Sequence, residues 1–299
     1  MNIKELYYYH DLVRTKNFSQ VAADFNISQP TVTMAIKRLE ESFGTTFFMR
    51  DRSHHQLKVT STGLQFDQHV QRVIEELEIA QKELTRAKQE RISFGLPPII
   101  GSWYFPRFTP ALLQAGLLNQ LEVVDHGSAS LLRLLANGEL DLALLGSLQP
   151  FQQPSLRARV IDKAPIKIIV AKNHPLAAFK EGVSFVQAAQ YPFITLDDEY
   201  VHAQAFRQAA RLARVRPKIV FKTSDVQILK ALVANNSGIS FLTDLALDTN
   251  DGLVALPLTD GSQPEFIISL AARANRLLTP NAQRLWSILE TPLSKGPIY

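Results

Sequence analysis

Between Phe18 and Phe43 the chain carries two short apolar stripes of helical period, separated by a turn that neither helix can run through, and this restricts the N-terminal fold more than any other feature. In the first stripe Phe18, Val21, Ala22 and Phe25 share one face, and Ser19 is placed to accept the free N–H groups that open a helix. Asn26 and Ile27 make the turn. Ser28 then caps a second helix, Pro30 sits in its first turn where a missing N–H costs nothing, and Val32, Ile36, Leu39 and Phe43 form its buried stripe. Gly44 supplies a left-handed stop. A preceding helix is signalled by Asn2 and Glu5, spaced as a capping box, and by Leu6, Tyr9, Leu12 and Val13, up to about Lys16.

Two short helices about a tight turn have the layout of a helix-turn-helix, in which the second helix reads double-stranded DNA. Counting the helical period away from the apolar stripe places Thr33, Met34 and Lys37 outward. Gln29, Pro30 and Thr31 lie at the N-terminal end, which meets base edges, and Arg38 suits a phosphate. Glutamine can bond adenine through two contacts and threonine can pack on a thymine methyl, so the face has reading chemistry besides charge. From this pattern alone a small helical bundle with a solvated polar face fits equally well.

The next residues favour the nucleic-acid reading. Phe47 and Phe48 can tuck against the preceding helix, a polar tip runs from Arg50 to Gln56, and Leu57, Lys58 and Val59 resume strand-like alternation. This is a hairpin wing, and Arg50, Arg52 and Lys58 would contribute salt-dependent contacts to the DNA backbone. The adjacent His54 and His55 do not converge on one metal ion. Net charge is +4 for the whole chain, and eight basic residues oppose six acidic ones over residues 1–65, so placement of charge carries the case and total charge does not.

The run F-S-Q-V-A-A-D-F-N-I-S-Q-P-T-V-T-M-A-I-K-R-L-E-E-S-F-G-T-T-F-F-M-R, followed by V-T-S-T-G ending at Gly63, resembles the N-terminal domain of LysR-type transcriptional regulators. The resemblance rests on Ala22 and Ala23, on Ser28-Gln29-Pro30, on Leu39-Glu40 and Gly44, on Phe48 and Arg50, and on Thr60 with Gly63. It implies an α/β protein with three parts: a winged helix-turn-helix over residues 1–60, a dimerising linker helix over 61–90 and an effector-binding domain over 91–299. It implies that Gln29, Pro30, Thr31, Thr33, Lys37 and Arg38 are reader-helix contacts and Arg50 a wing contact. Met34 stands where the family often has arginine, and Ser53 where a wing arginine is common, with Arg52 displaced by one. The family's regulators form dimers and usually tetramers, and RNA polymerase enters as a further expected partner. The opening M-N-I-K-E-L, the reader helix and the R-D-R-S-H wing resemble the branch of malolactic-fermentation regulators, which implies L-malate as the first ligand to try.

After Thr60 or Ser61, either of which can cap, Phe66, Val70, Val73, Leu77, Ala80, Leu84 and Ala87 recur at steps of four and three. A helix of roughly thirty residues with one such seam pairs with a copy of itself, giving a homodimer and a partly palindromic operator. The alternative is a helix lying on its own C-terminal domain.

From about Ile92 apolar strands alternate with amphipathic helices. Strands are predicted at Ile92–Leu96, Leu121–Asp125, Leu140–Leu145, Ile166–Ala171, Phe193–Leu196, Lys218–Phe221, Gly238–Leu242, Leu253–Pro257 and Phe266–Ala271. Helices are predicted at Trp103–Gln114, Ser130–Ala136, His202–Ala213, Val226–Asn235 and Pro280–Leu289. This alternation argues for open α/β sheets covered on both faces. The resemblance implies a two-lobed, periplasmic-binding-protein-like domain, with lobe I over 91–162 and 266–299 and lobe II over 163–265. The crossings then fall near Asp162–Pro165 and Gln263–Glu265. Small residues mark the strand-to-helix corners where such sheets bind ligands: Gly101 with Ser102, Ser128, Ser147, Thr195 and Thr223. Hydroxyls beside helix N-termini suit a carboxylate, so an organic-acid effector is expected there, with His202 available for a charge-assisted bond. The acidic run Asp197, Asp198 and Glu199 reads as a cap for the following helix.

Other classes fare worse. Without cysteine there is no disulfide, thiolate nucleophile or cysteine-ligated metal. No G-x-S-x-G, P-loop, G-x-G-x-x-G or H-E-x-x-H pattern occurs, so no enzyme and no catalytic residue is expected. A solute-binding protein sharing the C-terminal fold would begin with an export signal, where this chain has a helix-turn-helix. No apolar run reaches the roughly 18 residues of a membrane span, and a cytoplasmic location is expected.

Overall fold

The computed structural model describes residues 2–50, 56–88, 91–261 and 264–291, and its contacts divide the chain into two units, Met1–Leu84 and Thr85–Tyr299. In the first unit α1 (Ile3–Thr15), α2 (Phe18–Asp24) and α3 (Gln29–Phe43) are followed by the antiparallel strands β1 (Phe48–Arg50) and β2 (Leu57–Val59) and by α4 (Ser61–Ala87). The capping box of α1 is present: the Asn2 side chain accepts from the Lys4 N–H, and the Glu5 carboxylate accepts from the Asn2 N–H at 3.0 Å. The cap of α2 differs from expectation. Asn17 fills that place, accepting from the N–H groups of Ser19 and Gln20 at 3.0 and 3.1 Å, because its side chain reaches the second and third residues of the helix from outside it. Asn26 takes the left-handed conformation at φ 52°, which lets Ile27 N–H return to the Ala22 carbonyl and close the turn.

Val32, Ala35, Ile36 and Leu39 of α3 are buried against Leu6, Tyr9, Leu12, Val21 and Ala22. Phe43 departs from its predicted place in the stripe. At the end of the helix it is 49% exposed, its ring tilted against that of Phe66 with the centroids 4.7 Å apart, and Ala35 is buried instead. Glu40 ties the wing to α3, its Oε1 accepting from the N–H groups of Phe47 and Phe48 at 2.7 and 3.1 Å. Thr60 caps α4, accepting from Gly63 N–H at 2.9 Å. A side chain at Gly63 would put its Cβ 2.6 Å from the Phe47 carbonyl oxygen, so glycine is required there by close approach.

The predicted seam of α4 divides. Phe66 and Val70, with the unforeseen Ile74, pack into the unit's own core. Val73 and Leu84 remain exposed, and Leu77 and Ala80 are half-buried. The side chain of Ala87 lies outside the described residues.

In the second unit the order is β3 (Ile92–Gly95), α5 (Pro98–Gln114), β4 (Leu121–Val124), α6 (Ser128–Ala136), β5 (Leu142–Ser147), β6 (Leu156–Ala171), α7 (Phe185–Ala188), β7 (Phe193–Leu196), α8 (Val201–Leu212), β8 (Ile219–Thr223), α9 (Val226–Ala234), β9 (Ser240–Thr243), β10 (Leu253–Leu256), β11 (Glu265–Arg273) and α10 (Pro280–Leu289). β3 lies between β4 and β5 in parallel pairing, and β11 runs antiparallel between β5 and β6. β6 changes partners along its length. Residues up to Pro165 pair with β11, and those from Ile166 pair with β9 and β10. β7 and β8 are parallel and join this second sheet region through the bridge of Phe193 to Ile239.

The chain therefore passes between two lobes along β6 and again just before β11. A continuous apolar core follows it, running from Ile92, Phe94 and Leu142 through Ile166 and Ile168 to Phe185, Phe193 and Phe241. α5 continues through Pro106 and Pro110 with Ile100, Tyr104, Phe108 and Leu112 buried along one side. Among the described residues no helix is long and apolar enough to cross a membrane.

Candidate functional site

The first candidate surface is the outer face of α3. Gln29, Pro30, Thr31, Thr33, Met34, Lys37 and Arg38 are all exposed, opposite the buried Val32, Ala35, Ile36 and Leu39. The polar groups on this face are arranged by one another. Thr33 Oγ1 donates to the Gln29 carbonyl and accepts from the Gln29 amide, both at 3.1 Å, and Thr31 Oγ1 lies 2.8 Å from the capping Ser28 hydroxyl. Met34 is 50% exposed beside them and offers a thioether where a base could pack. Lys37 is paired only loosely, 3.7 Å from Glu41, so its ammonium can be redirected to a phosphate.

Arg38 is placed differently. Its guanidinium bonds Glu5 at 2.7 and 2.8 Å and joins α3 to α1. Glu5 is buried, which by itself pushes its carboxyl pKa up. The Asn2 N–H and Arg38 outweigh that, and the carboxyl is held below its ordinary value. Lys58 is exposed on β2. The Arg50 side chain, Arg52, Ser53 and both wing histidines lie outside the described residues.

The second candidate site is a cavity of about 660 Å³ in the second unit, at the carboxyl ends of β4, β7 and β8 and the start of α5. Ser102 lines it, but Ser102 Oγ donates to the Ile99 carbonyl at 3.1 Å. Beside it a narrow recess shares Pro98 and Tyr200 with the cavity and is lined by Ser128, His202 and Phe266. Ser128 accepts from Gly146 N–H at 2.8 Å. His202 is 3% exposed, its ring lies 4.7 Å from that of Phe266, and its Nε2 has no partner. Burial alone drives its pKa down to about 3, so the imidazole is neutral.

The other predicted corner residues do not line the cavity. Gly101 packs on Leu96, the hydroxyls of Ser147 and Thr195 are buried without partners, and Thr223 accepts from Asp225 N–H at 3.0 Å. What the cavity does contain is acid: Asp125, Asp197, Glu199 and Asp225, with His126 beside Asp125. Burial raises the Asp125 pKa and the charge of His126 opposes that rise. Asp225 is committed to capping α9, accepting from Gln227 and Ile228 N–H at 2.7 and 3.1 Å.

The run 197–199 does not act as expected. The position before α8 is Tyr200, which makes no side-chain cap, and Asp198 instead pairs with Arg207 and with Lys222 at 3.4 Å. Asp197 and Glu199 are left facing the cavity. Gly127 lies directly against the Glu199 backbone, where a Cβ would come within 3.1 Å of its carbonyl oxygen, so the lobes meet at this corner.

Residues 3–64 match the family described as bacterial regulatory helix-turn-helix protein, lysR family, and residues 85–293 match the LysR substrate binding domain. The chain is 31% identical to the malolactic fermentation system transcriptional activator of Lactococcus lactis, over 97% of this chain and 99% of that protein. It is 25% identical to the DNA-binding transcriptional dual regulator OxyR of Escherichia coli, over 95% and 93% of the two chains. Among solved structures, full-length BenM superposes with a TM-score of 0.56 at 20% identity, covering 97% of this chain and 95% of BenM. The effector binding domain of QuiR in complex with shikimate gives 0.57 at 20% identity, covering 67% and 94%.

Proposed function

From the premise that this chain belongs to the LysR family of bacterial transcriptional regulators, we propose that it reads duplex DNA with the outward face of α3 and does so as a dimer paired through the free stripe of α4. Support for the reading face comes from one observation: Gln29, Thr31, Thr33 and Lys37, the polar residues that chemistry would use on a groove, are exposed, while the apolar side of α3 is packed into the core. Val73, Leu77, Ala80 and Leu84 repeat at steps of four and three on the part of α4 that its own core leaves uncovered, which suits a second copy in twofold pairing. Two such copies place two reader helices on half-sites about one turn, or a multiple of it, apart.

Control by a small effector in the cavity at the strand ends acts by population shift. A ligand held by both lobes favours their closed arrangement and changes how the paired copies grip DNA, the level at which RNA polymerase is then affected. The test is a gel-shift titration across salt with a duplex selected from a random pool. Affinity should fall on a log–log plot with a slope of about 0.9 per phosphate neutralised. Lys37→Ala should lower that slope by about one contact, whereas Gln29→Ala or Thr33→Ala should relax sequence preference by about 1–3 kcal/mol at the bases they meet. If all three variants bind with wild-type affinity, slope and preference, α3 is not the reader.

A further inference from the structure

We infer that Met34 is a specificity contact of this chain, packing on the C5-methyl group of a thymine, so that each half-site carries an A·T pair at that position. This rests on reading α3 as the helix that enters the groove, and it adds which base is selected and by which side chain.

The buried Val32, Ala35, Ile36 and Leu39 define one side of α3. At about 100° per residue the direction opposite them is occupied by Pro30, Met34 and Lys37, all exposed. The centre of the outward face is therefore largely apolar. Met34 is 50% exposed and takes no part in the core of the first unit among the described residues. Phe43, the other large apolar residue left exposed on this helix, rests on Phe47 and Phe66 with ring centroids 6.2 and 4.7 Å away. A thioether on two methylenes is at best a weak acceptor, so its contribution on a base edge is apolar contact. The major groove displays one apolar group, the thymine methyl. Over a G·C pair the same side chain would cover guanine N7 and O6 or the cytosine amino group without bonding them, at the cost of their desolvation.

The groups around Met34 favour the same base pair. Arg38 is the single arginine of α3 and the side chain suited to guanine, but Glu5 holds it at 2.7 and 2.8 Å. Lys37, only 3.7 Å from Glu41, is a flexible point charge that suits a phosphate. Gln29 is set for adenine. Thr33 Oγ1 gives its one proton to the Gln29 main-chain carbonyl and can only accept from the Gln29 side chain, so the amide nitrogen faces Thr33. Oε1 and the second N–H are left for a base, the acceptor and donor that adenine N6 and N7 require.

The experiment uses the full chain and the duplex selected from a random pool. Each thymine is replaced in turn by deoxyuridine, which removes the methyl group and keeps the hydrogen-bonding edge. One replacement in each half-site should weaken wild-type binding about 3- to 5-fold, the worth of burying one methyl group. The same replacement should cost Met34→Ala nothing, whereas Met34→Leu, still apolar, should retain the loss. Position 34 is on the surface, so both variants should melt with the wild type. The inference fails if no thymine methyl matters to the wild type, if Met34→Ala loses as much as the wild type at the same thymine, or if the dependence vanishes in Met34→Leu as well. In each of these cases a relaxed preference in Gln29→Ala and a lowered salt slope in Lys37→Ala leave α3 as the reader. If the Gln29, Thr33 and Lys37 variants all bind as wild type does, or no duplex is selected, α3 is not the reader and the Met34 contact is lost with it.

Discussion

On α3 the groups proposed to meet DNA lie within one helix, from Gln29 to Lys37, and the core that positions them lies on the opposite side of that same helix. In the second unit Ser102, Asp125, Asp197 and Asp225 reach one cavity from four segments spread over more than a hundred residues, and their positions depend on how β6 and β11 carry the chain between lobes. A surface on a single element tolerates shifts elsewhere so long as the element stays docked. A cavity assembled from many loops responds to small changes in packing, and that responsiveness is what a ligand-operated switch requires.

Three measurements would break or sharpen this contrast, taken from the largest effect down. Leu39 is fully buried between α3 and the preceding helices, so Leu39→Ala should cost the first unit about 2–5 kcal/mol and abolish operator binding. Near-ultraviolet circular dichroism and ligand response of the second unit should persist. If they collapse together, the units are not independent.

Gly146→Ala tests the other side. Its Cβ would come within 2.4 Å of the Phe266 ring, which walls the recess beside His202, so the second unit should lose about 1–3 kcal/mol in denaturant unfolding. DNA affinity without ligand should be unchanged.

The smallest effect, taken per pH unit, separates the units by pH. The unfolded chain protonates His202 near its ordinary 6.5, and the folded chain resists until about pH 3, so the second unit should lose about 1.4 kcal/mol per pH unit as pH falls below 6.5. Glu5 in the first unit is shifted below its ordinary 4.5, so the stability it adds is present above that value and is lost only as pH falls through its lower folded value. Acid titration followed by urea melts should therefore weaken the second unit first, and His202→Gln should flatten its slope between pH 6 and 4.

Much of the secondary structure was legible where period and caps agreed. The predicted Phe193–Leu196 and Pro280–Leu289 coincide with β7 and α10, and α3 starts after Ser28 and stops at Gly44 as read. The misses have physical causes. β6 begins at Leu156, ten residues before the predicted Ile166, because Arg157, Arg159, Asp162 and Lys163 interrupt the apolar signal on a stretch that is largely half-exposed. α5 begins at Pro98 and not at Trp103, since Pro97, Pro98 and Gly101 read as loop while in the fold Pro98 simply occupies the first turn. Around the cavity, the serines and threonines chosen from strand ends are bonded to nearby backbone or buried away from the space, and the carboxylates read as caps or strand ends are the ones facing it.

What the amino-acid order determined alone is whatever repeats within one element: the two-sided α3, the wing that follows it, the alternation of strand and helix, and the family to which the whole belongs. The physical reason is that helical and strand periods translate directly into faces, with no knowledge of the partner needed. The tertiary structure alone decided which polar groups were already satisfied. Arg38 was committed to Glu5, Asp225 to its helix and Asp198 to two basic side chains, while the bare Nε2 of His202 remained. Satisfaction depends on neighbours distant in sequence, so only the assembled fold could show which groups remain for a ligand.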